Sequence, residues 1–140
     1  MKEILNLTEI AKKDPHSAYC AFTYGLKNRY TYTFRTIPDI KHLLQPLENA
    51  IRDHFIPAIT RNHLCNYYER ELLALPPKMG GLGIIKPMEI AEIEFQNSCK
   101  ITQSLQDHII TQNPMYAPPT DNKLKNEIKR TNNSRNQRIL

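Results

Sequence analysis

No tryptophan occurs among these 140 residues, and there are only four glycines. Cysteine is sparse as well. Cys20, Cys65 and Cys99 lie far apart, with no C-x-x-C pair, which excludes a zinc-knuckle spacing. They read as small buried apolar side chains in a reducing, intracellular compartment, cytoplasm or nucleus. No apolar run approaches the length of a membrane span, so no membrane partner is expected. The opening MKEILNLTEI is too charged for a signal peptide.

Paired carboxylates are missing too. Asp14, Asp39, Asp53, Asp107 and Asp121 include no adjacent pair and no D-x-D. Metal-dependent phosphoryl transfer needs carboxylates close enough to share ions. Glu92 and Glu94 are two apart and point to different sides of a helix. His63 and Cys65 in HLC lack a second pair of ligands. His16 and Cys20 are four apart on a helix, with neither a third group nor an oxyanion donor. The sequence therefore assigns no catalytic residue, metal or cofactor, and the chain is not expected to be an enzyme by itself.

Charge is present but unevenly placed. Residues 1–113 carry 13 Lys/Arg against 12 Asp/Glu, whereas residues 114–140 carry 6 against 2. The division reads as a helical domain over 1–113 and a flexible basic tail over 114–140. A basic tail attracts anionic partners through Lys125, Lys129, Arg130, Arg135 and Arg138.

Proline punctuates the body. Ile4, Leu7 and Ile10 share one face of a first helix. Asp14-Pro15 caps and opens a second, in which Ala18, Phe22 and Leu26 mark one face. Its later part, RYTYTF, alternates and leaves a strand reading open, with helix favoured. Pro46 predicts a kink or two short helices, and Pro57 a second bend or an end. Asn66 to Glu69 fits a capping box before a short helix that stops at Pro76-Pro77. A long helix follows Pro87, from about 88 to 112. Its apolar seam is Ile90, Ile93, Ile101, Leu105 and Ile109, interrupted by Asn97. The fold class is mostly α: a small bundle of about five or six helices with one glycine-rich extended connector.

That connector, LPPKMGGLGI, holds three of the four glycines. It lacks the GK[ST] ending of a phosphate loop and the G-x-G-x-x-G of a dinucleotide site. Leu82, Ile84 and Ile85 predict a partly buried crossing where backbone runs close to another element.

One chemical constellation remains. Lys27, Arg29 and Arg35 alternate with Tyr24, Tyr30, Tyr32 and Phe34. Cations neutralise phosphates and aromatic faces accept bases or sugars. A helix that buries its aromatics and solvates its charges would carry the same residues.

Read as phrases, AFTYGLKNRYTYTFRTIPDIKHLLQPLENAIRDHFIPAIT and ERELLALPPKMGGLGIIKP, followed by a long helix and a basic tail, resemble the region directly after the palm in non-LTR-type retrotransposon reverse transcriptases. The resemblance covers roughly residues 16–113. It implies a thumb and linker that grip the backbone of a template–primer duplex, RNA or DNA, beside a palm that this sequence does not contain. It implies nucleic-acid contact by Lys27, Arg29, Tyr30, Tyr32 and Arg35; the family often has tryptophan at the position of Tyr30. It further implies a retroelement fragment without polymerase activity of its own. The alternative is a helical protein-interaction or structural domain, in which Arg29 and Arg35 pair with acidic neighbours such as Glu48 or Asp53, or a transposon remnant without function.

Overall fold

A computed structural model describes residues 2–61 and 63–112, together with tail positions 122, 123, 125, 126, 128–130 and 133. Helix α1 spans Lys2–Lys13 and α2 spans Pro15–Ala21. Between them Asp14 caps α2, accepting from the Ser17 amide at 3.1 Å, with Pro15 in the first turn. A π turn, Phe22–Leu26, joins α2 directly to α3, Lys27–Thr36. RYTYTF is therefore helical.

The region around Pro46 is broken into short pieces. A 3₁₀ turn over Lys41–Leu43 precedes α4, Gln45–Ala50, which carries Pro46 in its first turn. A second π turn, Ile51–Phe55, leads into α5, Ile56–Ile59. Pro57 has no amide to give, and the widened turn just before it lets the helix bend rather than stop. Helix α6, Tyr67–Ala74, opens on a capping box: the Glu69 amide donates to Asn66 Oδ1 and the Asn66 amide donates to Glu69 Oε2, each at 2.9 Å. A 3₁₀ turn over Pro77–Met79 begins the connector, and α7, Pro87–Thr111, is the longest element. Among the described residues there is no strand.

The core gathers Ile4, Ala18, Phe22, Phe34, Ile51, Phe55, Ile56 and Ile84. Phe22 and Phe55, one from each π turn, stack with centroids 4.9 Å apart. Helix α1 lies on α2, α5 and the second π turn, while α3 lies on α7. The seam expected along α7 is only half used. Ile90, Ala91 and Asn97 are buried, but Ile101, Leu105 and Ile109 are exposed. The cysteines also differ from expectation. Cys20 and Cys65 are only partly covered, and Cys99, on α7, is exposed.

Polar groups fasten α6 and the connector. The Arg70 guanidinium is buried, donating to Glu48 at 2.8 and 3.0 Å and to the carbonyls of Ile84 at 3.0 Å and Ile85 at 2.7 Å. The connector's amides return to α6: Gly83 donates to the Leu75 carbonyl at 2.8 Å and Ile84 to that of Leu73 at 3.0 Å. Tyr19 donates its hydroxyl to the Leu82 carbonyl at 2.6 Å. Lys86 bridges Glu71 and Glu89 and lies over the Tyr67 ring. Burial works against its charge, yet the two carboxylates hold its pKa above the ordinary lysine value.

Gly25, in the first π turn, has φ in the ordinary helical half of the map and open space where a β-carbon would project. Glycine in a helical segment costs entropy that alanine does not. Gly25→Ala is expected to stabilise the chain by about 0.5–1 kcal/mol, seen as a rise of a few degrees in thermal midpoint. A lower midpoint would mean that this turn needs glycine.

Candidate nucleic-acid interface

The basic and aromatic residues of α3 do not share one face. A turn of 3.6 residues carries them around the helix, and α7 covers part of its circumference.

Arg29 and Tyr32 face outward. Tyr32 is 71% exposed and Tyr24, about two turns earlier, 78%. With Glu3, Leu26, Asn28, Tyr30 and Thr33, Arg29 and Tyr32 line a groove of about 550 Å³ between α1 and α3. Asn28 donates to the Tyr24 carbonyl at 3.0 Å. The groove is not purely cationic. Glu3 stands 3.8 Å from the Arg29 guanidinium, with both side chains open to solvent.

Tyr30 turns the other way. Its ring stacks beside Phe34 at 6.5 Å between centroids, and its hydroxyl is buried without a hydrogen-bond partner. Burial, reinforced by the Glu3 charge, pushes its pKa up to about 12. Tyr30 is thus largely a packing residue whose edge reaches the groove. Lys27 also points away from the two exposed tyrosines: its Nζ lies beside Gly83, 4.0 Å from where a β-carbon there would sit. Arg35 reaches across to α7, donating to Glu94 at 2.7 Å.

The five α3 residues divide accordingly. Arg29 and Tyr32 form a solvent-facing pair, Tyr30 lies beneath them, and Lys27 and Arg35 are turned to the connector and to α7. Arg29 and Arg35 do have acidic neighbours, though not the two anticipated. Glu48 is committed to Arg70, and Asp53 to Arg52 at 2.7 Å. In the tail, Lys125, Lys129 and Arg130 fall at exposed helical positions. Arg135 and Arg138 lie outside the described residues.

The other chemical candidates meet at most in pairs. His63 pairs with Glu69 at 2.8 Å rather than with Cys65, and His16 is 3.8 Å from the Cys20 sulfur. Among the described residues, no three His, Cys, Asp or Glu side chains converge as a metal site would require. Among the described residues, no helix is long and apolar enough to cross a membrane.

Residue pattern alone did not single out Arg70. It stands in ERE between two glutamates, and neither its period nor its spacing marks it as the buried member of the three. Comparison with protein-family models, curated proteins and solved structures finds no match to this chain.

Proposed function

We propose that this chain is a nucleic-acid-binding helical module of the thumb type, acting beside a polymerase palm, which binds duplex backbone without reading sequence and performs no chemistry itself. The observation that carries this reading is the outward pairing of Arg29 with Tyr32 along one groove. A guanidinium beside an exposed aromatic ring suits a phosphate and the sugar or base next to it. The resemblance of residues 16–113 to the post-palm region of retroelement reverse transcriptases supports the same reading.

The ion pairs are compatible with it. Arg29–Glu3 is long and open to water, and solvent-exposed pairs are worth about 0–1 kcal/mol. A phosphate can displace a carboxylate held that weakly. Arg35 is held closer by Glu94, so Arg29 would make the primary contact and Arg35 a secondary one.

Fluorescence anisotropy with an RNA–DNA hybrid at rising salt tests the reading. Affinity should fall with a log–log slope of about −0.9 for each neutralised phosphate. Arg29→Gln should make that slope shallower by about 1, and Tyr32→Ala should weaken binding about tenfold. Affinity that is absent at low salt, or insensitive to it, would overturn the proposal.

A second reading is favoured by those same ion pairs together with exposed apolar groups on α6. Tyr67, Tyr68 and Leu72 are exposed there and Leu64 just before it, with the two tyrosine rings edge to face at 5.7 Å. A helical protein-interaction domain would use this surface and leave α3 merely solvated. The Arg29 and Tyr32 variants would then leave partner binding unchanged.

A further inference from the structure

We propose a phosphate-binding site in the cleft between the end of α1 and the turn after α5, formed by Lys12, Lys13 and Arg61. The cleft has a volume of about 340 Å³, and Pro15 and Ala58 complete its lining. Three of its five lining residues are cationic and none is acidic.

The local charges are disposed differently from those on α3. Lys12 has an exposed partner in Glu9, at 2.6 Å. Among the described residues Lys13 and Arg61 have no acidic partner. Asp14, next to Lys13 in sequence, is engaged in capping α2, accepting from both the amide and the hydroxyl of Ser17. Two uncompensated cations and one weakly held one therefore open on a single concavity. A group carrying two or more negative charges would relieve their mutual repulsion, and an arginine fork can hold two phosphate oxygens at once. The ligand class is a phosphate group, either at the end of a small molecule or in a nucleic-acid backbone.

Arg61 also sits at a φ of 60°, the left-handed region that bulky side chains rarely adopt. Glycine fits that conformation without steric cost. Arginine there is unfavourable for the backbone alone, and the residue lines the cleft. The site does not depend on the α3 groove and includes none of its residues.

The same backbone supplies a clean variant. Arg61→Gly removes the guanidinium and suits the φ, so it is expected to keep or slightly raise the thermal midpoint. Inorganic pyrophosphate, titrated while amide NMR shifts are followed, should give saturable changes at Lys13 and Arg61. Its Kd should rise about tenfold in Arg61→Gly and similarly in Lys13→Gln. Arg29→Gln and Tyr32→Ala should leave it unchanged. A single-stranded 12-mer with and without a 5′-phosphate then identifies the source. Displacement of pyrophosphate by the phosphorylated strand alone marks an end group, and displacement by both strands marks the backbone. Shifts that never saturate, that spread over all surface cations, or that persist undiminished in the folded Arg61→Gly protein would overturn the site.

Discussion

Arg70→Met is expected to cost about 4 kcal/mol of folding stability, the largest effect of any single substitution argued for this chain. The Arg70 side chain is 4% exposed and its partner Glu48 11%. Removing the guanidinium leaves a carboxylate in a poorly solvated place with no counter-charge. It also strips the Ile84 and Ile85 carbonyls of their side-chain donor. Each buried polar group left unpaired adds about 1–3 kcal/mol. Total stability in a domain of this kind is roughly 5–15 kcal/mol, so the variant would be marginal at ambient temperature. Urea unfolding measures it as a fall in midpoint. The double variant E48L/R70M separates the two contributions. It removes the stranded charge and should recover about half of the loss, while the orphaned carbonyls account for the rest. A loss under about 1 kcal/mol for Arg70→Met would mean that water reaches the guanidinium and that Arg70 is not the tie between α4, α6 and the connector.

Gly81→Ala is the second large effect. A β-carbon there would lie 2.1 Å from the Leu75 carbonyl oxygen and 2.5 Å from that of Leu72. Both contacts are to backbone, which has no rotamer by which to escape. The connector would have to lift off the end of α6, stretching the bonds from Gly83 to Leu75 and from Ile84 to Leu73. The expected cost is about 3 kcal/mol, read from the same urea transition. Gly25→Ala serves as the control: the same chemical change in open space, with the opposite sign. An unchanged midpoint in Gly81→Ala would show that the connector does not press on α6.

The helical punctuation was legible because capping and proline chemistry are local. Asp14 and Pro15 start α2, Asn66 and Glu69 box the start of α6, and Pro87 opens α7. Each depends on groups within a few residues. Side-chain direction was not legible to the same degree. Lys27, Arg29 and Arg35 look equivalent as a run of cations, yet one meets Gly83, one the α3 groove and one Glu94. Those partners lie 26 to 59 residues away in sequence, and helical period does not report them. Arg70 was hidden for the same reason: its partners lie 14 to 22 residues away. The unused half of the α7 seam shows the converse. Ile101, Leu105 and Ile109 keep the spacing of a buried stripe, but spacing specifies a face and not what covers it. Lys13 and Arg61 stand 48 positions apart, and no sequence pattern joins them across the fold.

The two π turns bear on how this chain tolerates changes of length. A single π turn holds one residue more than the α-helical turn it replaces. Deleting a residue within 22–26 would close that turn into ordinary helix and leave α3 seated on α7 as before. Deleting one early in α3 would rotate everything after it by about 100°, swinging Phe34 out of the core and Arg35 away from Glu94. The stacked pair Phe22 and Phe55 therefore stands where the chain can lose a residue without turning any working surface to a new direction.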